Sequence, residues 1–201
     1  MDELAQQVAD RLKAERFVEV EASGRHVHLT EQDALTLFGH PMTPARPLSQ
    51  PGQFACAERV TLSGPKGQLA RVAVLGPARP ASQVEISQTD ALLLGVPAPI
   101  RLSGDIAGSP GITIQGPCGE VRLSEGVIIA QRHIHMTEQD ARRFHLSNGQ
   151  SVRVKLFSDR PVTFEDVAVR VSDSFATRVH IDFDEANAVH FQKGNLGMIL
   201  T

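Results

Sequence analysis

The chain has 201 residues, 41% of them hydrophobic and 21% charged, and its 20 Lys+Arg against 23 Asp+Glu leave a net charge of -3. That length and apolar content bury a sizeable core and exclude intrinsic disorder, while the lack of a basic excess excludes a general nucleic-acid binder. Cys56 and Cys118 form neither a CxxC nor a disulfide framework, and apolar runs such as Val127 to Ala130 are too short to cross a membrane, so a cytoplasmic protein with no nucleic-acid or membrane partner is expected.

Leu4, Val8 and Leu12 recur every four residues and predict an amphipathic helix over Asp2 to Arg16. From Phe17 the hydrophobic period becomes two. Strands are predicted over Phe17–Glu21, Arg59–Leu62, Leu69–Leu75, Ile100–Leu102, Gly111–Ile114, Glu120–Leu123, Gln150–Phe157 and Val167–Val171. Turn signals such as Gly64-Pro65-Lys66-Gly67 and Gly116-Pro117-Cys118-Gly119 separate them. Many short strands joined by tight turns predict a mainly β chain of small barrels rather than a doubly wound sheet.

An internal repeat carries the first functional signal. Arg25-His26-Val27-His28-Leu29-Thr30-Glu31-Gln32-Asp33-Ala34 returns 107 residues later as Arg132-His133-Ile134-His135-Met136-Thr137-Glu138-Gln139-Asp140-Ala141, identical at eight of ten positions. Looser copies run from Val84 to Ala91 and from Val179 to Ala186. Each copy reads as a strand end followed by a short helix with Thr30, Ser87, Thr137 or Asp182 at its N-cap and acids in its first turn. Equivalent strand positions then hold His28, Glu85, His135 and His180, all metal-ligand types.

Residues i and i+2 of a strand share a face, so His26 with His28 and His133 with His135 can each grip one ion. Glu85 completes the first pair as a set of two histidines and a glutamate, and His180 completes the second as a set of three histidines. Both are three-ligand arrangements that leave a coordination position open. An isolated HxH is commonly a polar strand face; its duplication with a third donor in each half points to metal. Imidazole and carboxylate donors suit zinc best, and cobalt, nickel or iron would fit. Two such ions with five neutral histidines and one carboxylate leave a local charge of about +3, which favours a polyanion. Arg79, six residues before Glu85 in the turn Leu75-Gly76-Pro77-Ala78-Arg79-Pro80, is then a candidate phosphate clamp. No GxSxG elbow, P-loop or GxGxxG is present, and neither cysteine has a patterned histidine beside it. The chemistry is therefore expected from metal and bound anion.

Six stretches in order resemble the PduL-type phosphate propanoyltransferases: Ser23 to Leu29, Leu48 to Phe54, Leu75 to Arg79, Gln83 to Ser87, Arg132 to Met136 and His180 to Ala188. The resemblance runs from about Val18 to the C-terminus. It implies two six-stranded β-barrels with short helices, the first strand joining the C-terminal barrel. The expected boundaries are an N-terminal helix over 1–16, one barrel from 17–24 with 131–201, and a central barrel over 25–130. It implies a zinc-dependent enzyme interconverting acyl-CoA plus phosphate with acyl phosphate plus coenzyme A. By motif match, His26, His28 and Glu85 would hold one zinc, His133, His135 and His180 the other, and Arg79 would bind phosphate. Ser23, Arg46, Leu75, His180 and Asn187 would contact coenzyme A, with Arg71 standing in for an arginine the family pattern places at Ala73.

The mechanism this implies is direct attack of a zinc- and Arg79-held phosphate on the thioester carbonyl. A dinuclear zinc hydrolase of thioesters or phosphoesters and a non-catalytic zinc-binding module are the alternatives. The resemblance further implies a location in the lumen of a bacterial microcompartment, with the N-terminal helix docking to shell or core proteins; a homo-oligomer is a separate expectation. Packing of that helix on a barrel, through Leu4, Val8 and Leu12, is the reading its short length favours.

Overall fold

The computed structural model describes residues 2–14 and 16–200, which divide into two compact units. The first unit opens with α1 (Asp2–Ala14) and β1 (Phe17–Ser23). The second, from Gly24 to Gln131, holds in order β2 (His26–His28), α2 (Glu31–Phe38), β3 (Pro44–Pro47), β4 (Phe54–Ser63), β5 (Gln68–Gly76) and β6 (Gln83–Ile86). It continues through α3 (Gln88–Leu94), β7 (Ile100–Arg101), β8 (Ile112–Gln115), β9 (Glu120–Leu123) and β10 (Val127–Ala130). From Arg132 the chain belongs again to the first unit, with β11 (His133–Met136), α4 (Glu138–Phe144), β12 (Ser151–Phe157), β13 (Val162–Val171), β14 (Arg178–Asp182), α5 (Phe183–Ala188) and β15 (Leu196–Leu200).

The first unit is a closed barrel in the order β1-β14-β11-β13-β12-β15, and β1 closes it by pairing parallel to β14 and antiparallel to β15. Strict alternation in β12 sends Val152, Val154 and Leu156 inward, where they meet Val18, Val20, Ile134, Val169 and Ile181. Gly197 lets β15 approach closely; a Cβ there would sit 2.8 Å from Val154 Cγ1.

The second unit is a nine-stranded sheet in the order β7-β10-β6-β2-β5-β4-β8-β9, with β3 paired to β4. The expected mainly β class is present, but this half differs from a closed six-stranded barrel. Closure requires the two end strands to pair with each other. Here the ends are the two-residue β7 and the four-residue β9, and each pairs only inward, with β10 and β8 respectively. The sheet curves around its own core of Val27, Leu62, Val74, Val84, Ile114 and Val127.

The N-terminal helix covers Asp2–Ala14 of the expected Asp2 to Arg16, Arg16 standing in a turn, and among its described side chains Leu4 and Val8 lack the packing expected of them. Leu4 is 68% and Val8 50% exposed, so these two do not cover a barrel; the Leu12 side chain lies outside the described residues.

Candidate metal centres and anion site

Four capped helices fix where the donor-bearing strands stop. Thr30, Ser87, Thr137 and Asp182 each accept a hydrogen bond from the backbone N–H three residues on, at Asp33, Asp90, Asp140 and Glu185. The arginine before each HxH then ties its strand to the helix of the partner copy. Arg25 lies 2.8 Å from Asp90, and Arg132 lies 2.6 Å from Glu185.

In the second unit β2 and β6 run antiparallel, with His26 opposite Glu85 and His28 opposite Gln83. Period-two geometry places all four side chains on one face, and all four are buried. His26 Nε2 lies 3.5 Å from Glu85 Oε2, and His28 Nε2 lies 3.7 Å from Glu85 Oε1. These gaps are too long for good hydrogen bonds. The His26–Oε2 gap is close to the edge, about 3.4 Å, of a tetrahedron with metal–ligand bonds of about 2.1 Å, and His28 Nε2 converges on the same carboxylate from its other oxygen. His26 Nδ1 donates to the Gly24 carbonyl at 2.8 Å, which leaves the Nε2 lone pair facing the cluster. Burial, aided by the charges of His26 and Arg79, pushes the His28 imidazole down to about 3, so it stands neutral as a donor. Burial opposes charge on His26 and Glu85 as well, but each overcomes it for the other: His26 is raised and Glu85 is held well below the usual carboxylate range. Such a pair suits a site that trades a proton for a cation.

The first unit repeats the plan. β11 and β14 run antiparallel with His133 opposite His180 and His135 opposite Arg178. The three histidine rings lie with centroids 4.6 to 5.1 Å apart, and their donor atoms, like those of His26, His28 and Glu85, fall within 4.8 Å of one another. Three converging buried imidazoles form a donor set that fits zinc. Phe175 covers His135 at 4.1 Å between ring centroids, and Glu21 on β1 lies 3.8 Å from His180 Nδ1. Arg178, at the corner that Gln83 occupies in the other unit, pairs with Glu19 at 3.1 Å.

Arg79 stands beside the set formed by His26, His28 and Glu85. Its backbone N–H donates to the carbonyl of Leu29, the residue after β2, at 2.9 Å, and its Nη1 donates to Ser103 Oγ at 2.8 Å. Ser103 in turn donates to Glu85 Oε1 at 2.6 Å. Gln83, Ser103, Gly24 and Phe175 were not singled out as site residues by the sequence. Period-two reasoning from Glu85 reaches Gln83, whereas Ser103 arrives from the irregular segment after β7 and leaves no local signal.

The residues expected at coenzyme A fall in both units. Ser23 ends β1 opposite Asp182, His180 belongs to the three-histidine set, and Asn187 is exposed on α5. Leu75 on β5 lies opposite His28, and exposed Arg46 on β3 lines an open cleft of about 370 Å3 with Pro47, Gly52 and Phe54. Arg71 sits in the left-handed region at φ 58, where β5 bulges against β4. Cys56 is fully buried, and burial first, then the charge of Glu58, pushes its thiol up to about 11. Cys118 is exposed in the β8–β9 turn. Neither thiol has the surroundings of a nucleophile.

A mainly β scaffold with two buried three-donor sets, one beside an anchored arginine, defines a protein suited to metal ions and an anionic ligand. The phosphate propanoyltransferase family profile matches residues 19–192. A phosphate propanoyltransferase of Clostridioides difficile is 51% identical over 202 residues, covering 100% of this chain and 97% of the relative. That of Listeria monocytogenes is 52% identical over 98% of this chain and 93% of its own. That of Thermotoga maritima is 48% identical over 96% and 94%. The chain belongs to the phosphate propanoyltransferase family and is an enzyme of the phosphotransacylase class. No helix among the described residues is long and apolar enough to cross a membrane.

Proposed function

We propose that the chain transfers an acyl group, propanoyl first, reversibly between coenzyme A and phosphate, with zinc in each donor set. The observation that carries this reading is Arg79, anchored at Leu29 and Ser103 beside the buried His26, His28 and Glu85, in a chain of this family. His26, His28 and Glu85 would hold one ion and His133, His135 and His180 the other; when bound, such ions supply Lewis-acid stabilisation of the charge that develops at the reacting carbonyl. Arg79 binds phosphate and orients it by the planar fork of its guanidinium. A phosphate oxygen forms the bond to the thioester carbonyl carbon, the carbon–sulfur bond breaks, and coenzyme A leaves as the thiolate. Ser23, Arg46, Leu75, His180 and Asn187 are assigned to coenzyme A, with exposed Arg71 standing in for the arginine that the family pattern puts at Ala73. The exposed Leu4 and Val8 support a docking role for α1, toward microcompartment shell or core proteins or a second copy of this chain.

The test is propanoyl-CoA with and without phosphate, following free thiol and bound metal together. Phosphate-dependent thiol release with about two zinc per chain is expected, and His28→Ala and His135→Ala should each remove about one equivalent. Phosphate-independent release would make the protein a hydrolase. No release, with metal bound, would make it a binding module.

A further inference from the structure

Gln83 is a fully buried polar side chain that the chemistry above does not use, and each of its amide atoms has a defined partner. Its Nε2 donates to Glu85 Oε1 at 2.5 Å and to Ser103 Oγ at 2.8 Å, and its Oε1 accepts from the backbone N–H of Gly104 at 3.1 Å. The Gly104 N–H can only donate, so it fixes which way the amide points: oxygen to Gly104, nitrogen to the carboxylate. Ser103 also has its hydroxyl proton committed, to the same Oε1 at 2.6 Å, so its oxygen accepts from Gln83 and from Arg79. Glu85 Oε1 thus receives two hydrogen bonds and stands 3.7 Å from His28 Nε2, while Oε2, which takes neither bond, faces His26 Nε2 at 3.5 Å.

We propose that Gln83 is a positioning residue which, with Ser103, clamps one oxygen of Glu85 so that the other serves as a single-point metal ligand, and which holds Arg79 in register with that ligand. The proposal rests on the metal and phosphate roles given above to Glu85 and Arg79. A carboxylate is free to swing between one- and two-oxygen ligation unless one oxygen is engaged elsewhere. The clamp removes that freedom and links it, through one hydroxyl, to the group that receives phosphate. The corresponding corner of the first unit holds Arg178, which pairs with Glu19 at 3.1 Å and lies 3.7 Å from Glu21, so that corner carries charged pairs where the glutamate-containing set has an amide.

The test uses the full-length protein with Gln83→Met, which keeps the length of the side chain and removes its amide, Ser103→Ala, and the double variant. Zinc affinity is read by competition with a chromophoric chelator, His28→Ala identifying which of the two equivalents belongs to the second unit. Each single variant should weaken that equivalent by about 10- to 100-fold and leave the other unchanged. Phosphate KM should rise more than acyl-CoA KM, and Ser103→Thr, which restores the hydroxyl, should regain most of both. The double variant should lose less than the product of the singles, because both donors act on one oxygen. Unchanged zinc affinity and phosphate KM in Ser103→Ala, or unchanged zinc affinity in folded Gln83→Met, overturns the proposal. If the wild type releases thiol without phosphate, the transacylase reading fails while the zinc measurement still decides the clamp.

Discussion

At the scale of single residues, Arg79 does two jobs that one point charge does not combine. Its Nη1 holds Ser103, and its planar fork presents further N–H donors. Arg79→Lys keeps the charge and loses the fork. Phosphate KM should rise and turnover fall by about 100-fold or more, with the KM for coenzyme A little changed. Steady-state kinetics with phosphate and coenzyme A varied separately check this, and unchanged phosphate kinetics would leave Arg79 a loop arginine. The convergence of His26, His28 and Glu85, and of His133, His135 and His180, was legible because duplication turns a common HxH into a repeated, aligned pattern, whereas Arg79 was reached only through the charge those sets would hold and its place in the turn before Glu85. Gln83 and Ser103 were not legible, because their roles follow from which atoms meet across β6 and the segment after β7, and sequence spacing does not encode that.

Elements show where periodicity succeeds and fails. All four N-caps fall on the residues the repeat designates, since Thr, Ser and Asp satisfy the helix N–H groups locally. β3 carries prolines at both ends, a composition that argues against a strand, and it survives as an edge that pairs only with β4. Glu58 on β4 secures the segment leading into it: the Thr43 backbone N–H donates to both carboxylate oxygens at 3.1 Å. Burial works against the charge there, but the Thr43 bonds win and hold Glu58 below its ordinary value. A depressed carboxylate contributes stability above its unfolded value, about 4.3, and loses it as pH falls through the folded one. Glu58→Gln should therefore be less stable than wild type by about 1–2 kcal/mol at pH 7, with the gap closing below about pH 4. Urea unfolding of both proteins at the two pH values is the measurement, and a gap independent of pH excludes the hydrogen-bonded carboxylate as its source. For α1, exposure of Leu4 and Val8 reverses the outcome expected from packing: deleting residues 1–13 should leave Tm within a few degrees. A fall of ten degrees or so would show that the helix buries apolar surface after all.

On the scale of the whole molecule, the repeat foretold two related halves, but their sheets end differently: one closes on β1, the other runs from β7 to β9. Closure depends on the lengths and neighbours of end strands, which lie outside the repeated segment. Each unit nevertheless has its own core and its own donor set, so metal should stabilise each unit. Chelation should lower the melting temperature by several degrees in calorimetry, and His28→Ala and His135→Ala should each retain part of the metal-dependent shift. The cross-strand pairing of donors, His26 with Glu85 and His133 with His180, carries one more consequence. A slip of β6 by one residue would turn Glu85 into the core and present Val84 or Ile86 to the histidines, and the same holds for β14 with Val179 or Ile181. Misregistered chains would forfeit a ligand in the same stroke that buries a charge or a polar ring. An ion bound there would therefore act as a proofreader of strand alignment, since only the native pairing brings its three donors together.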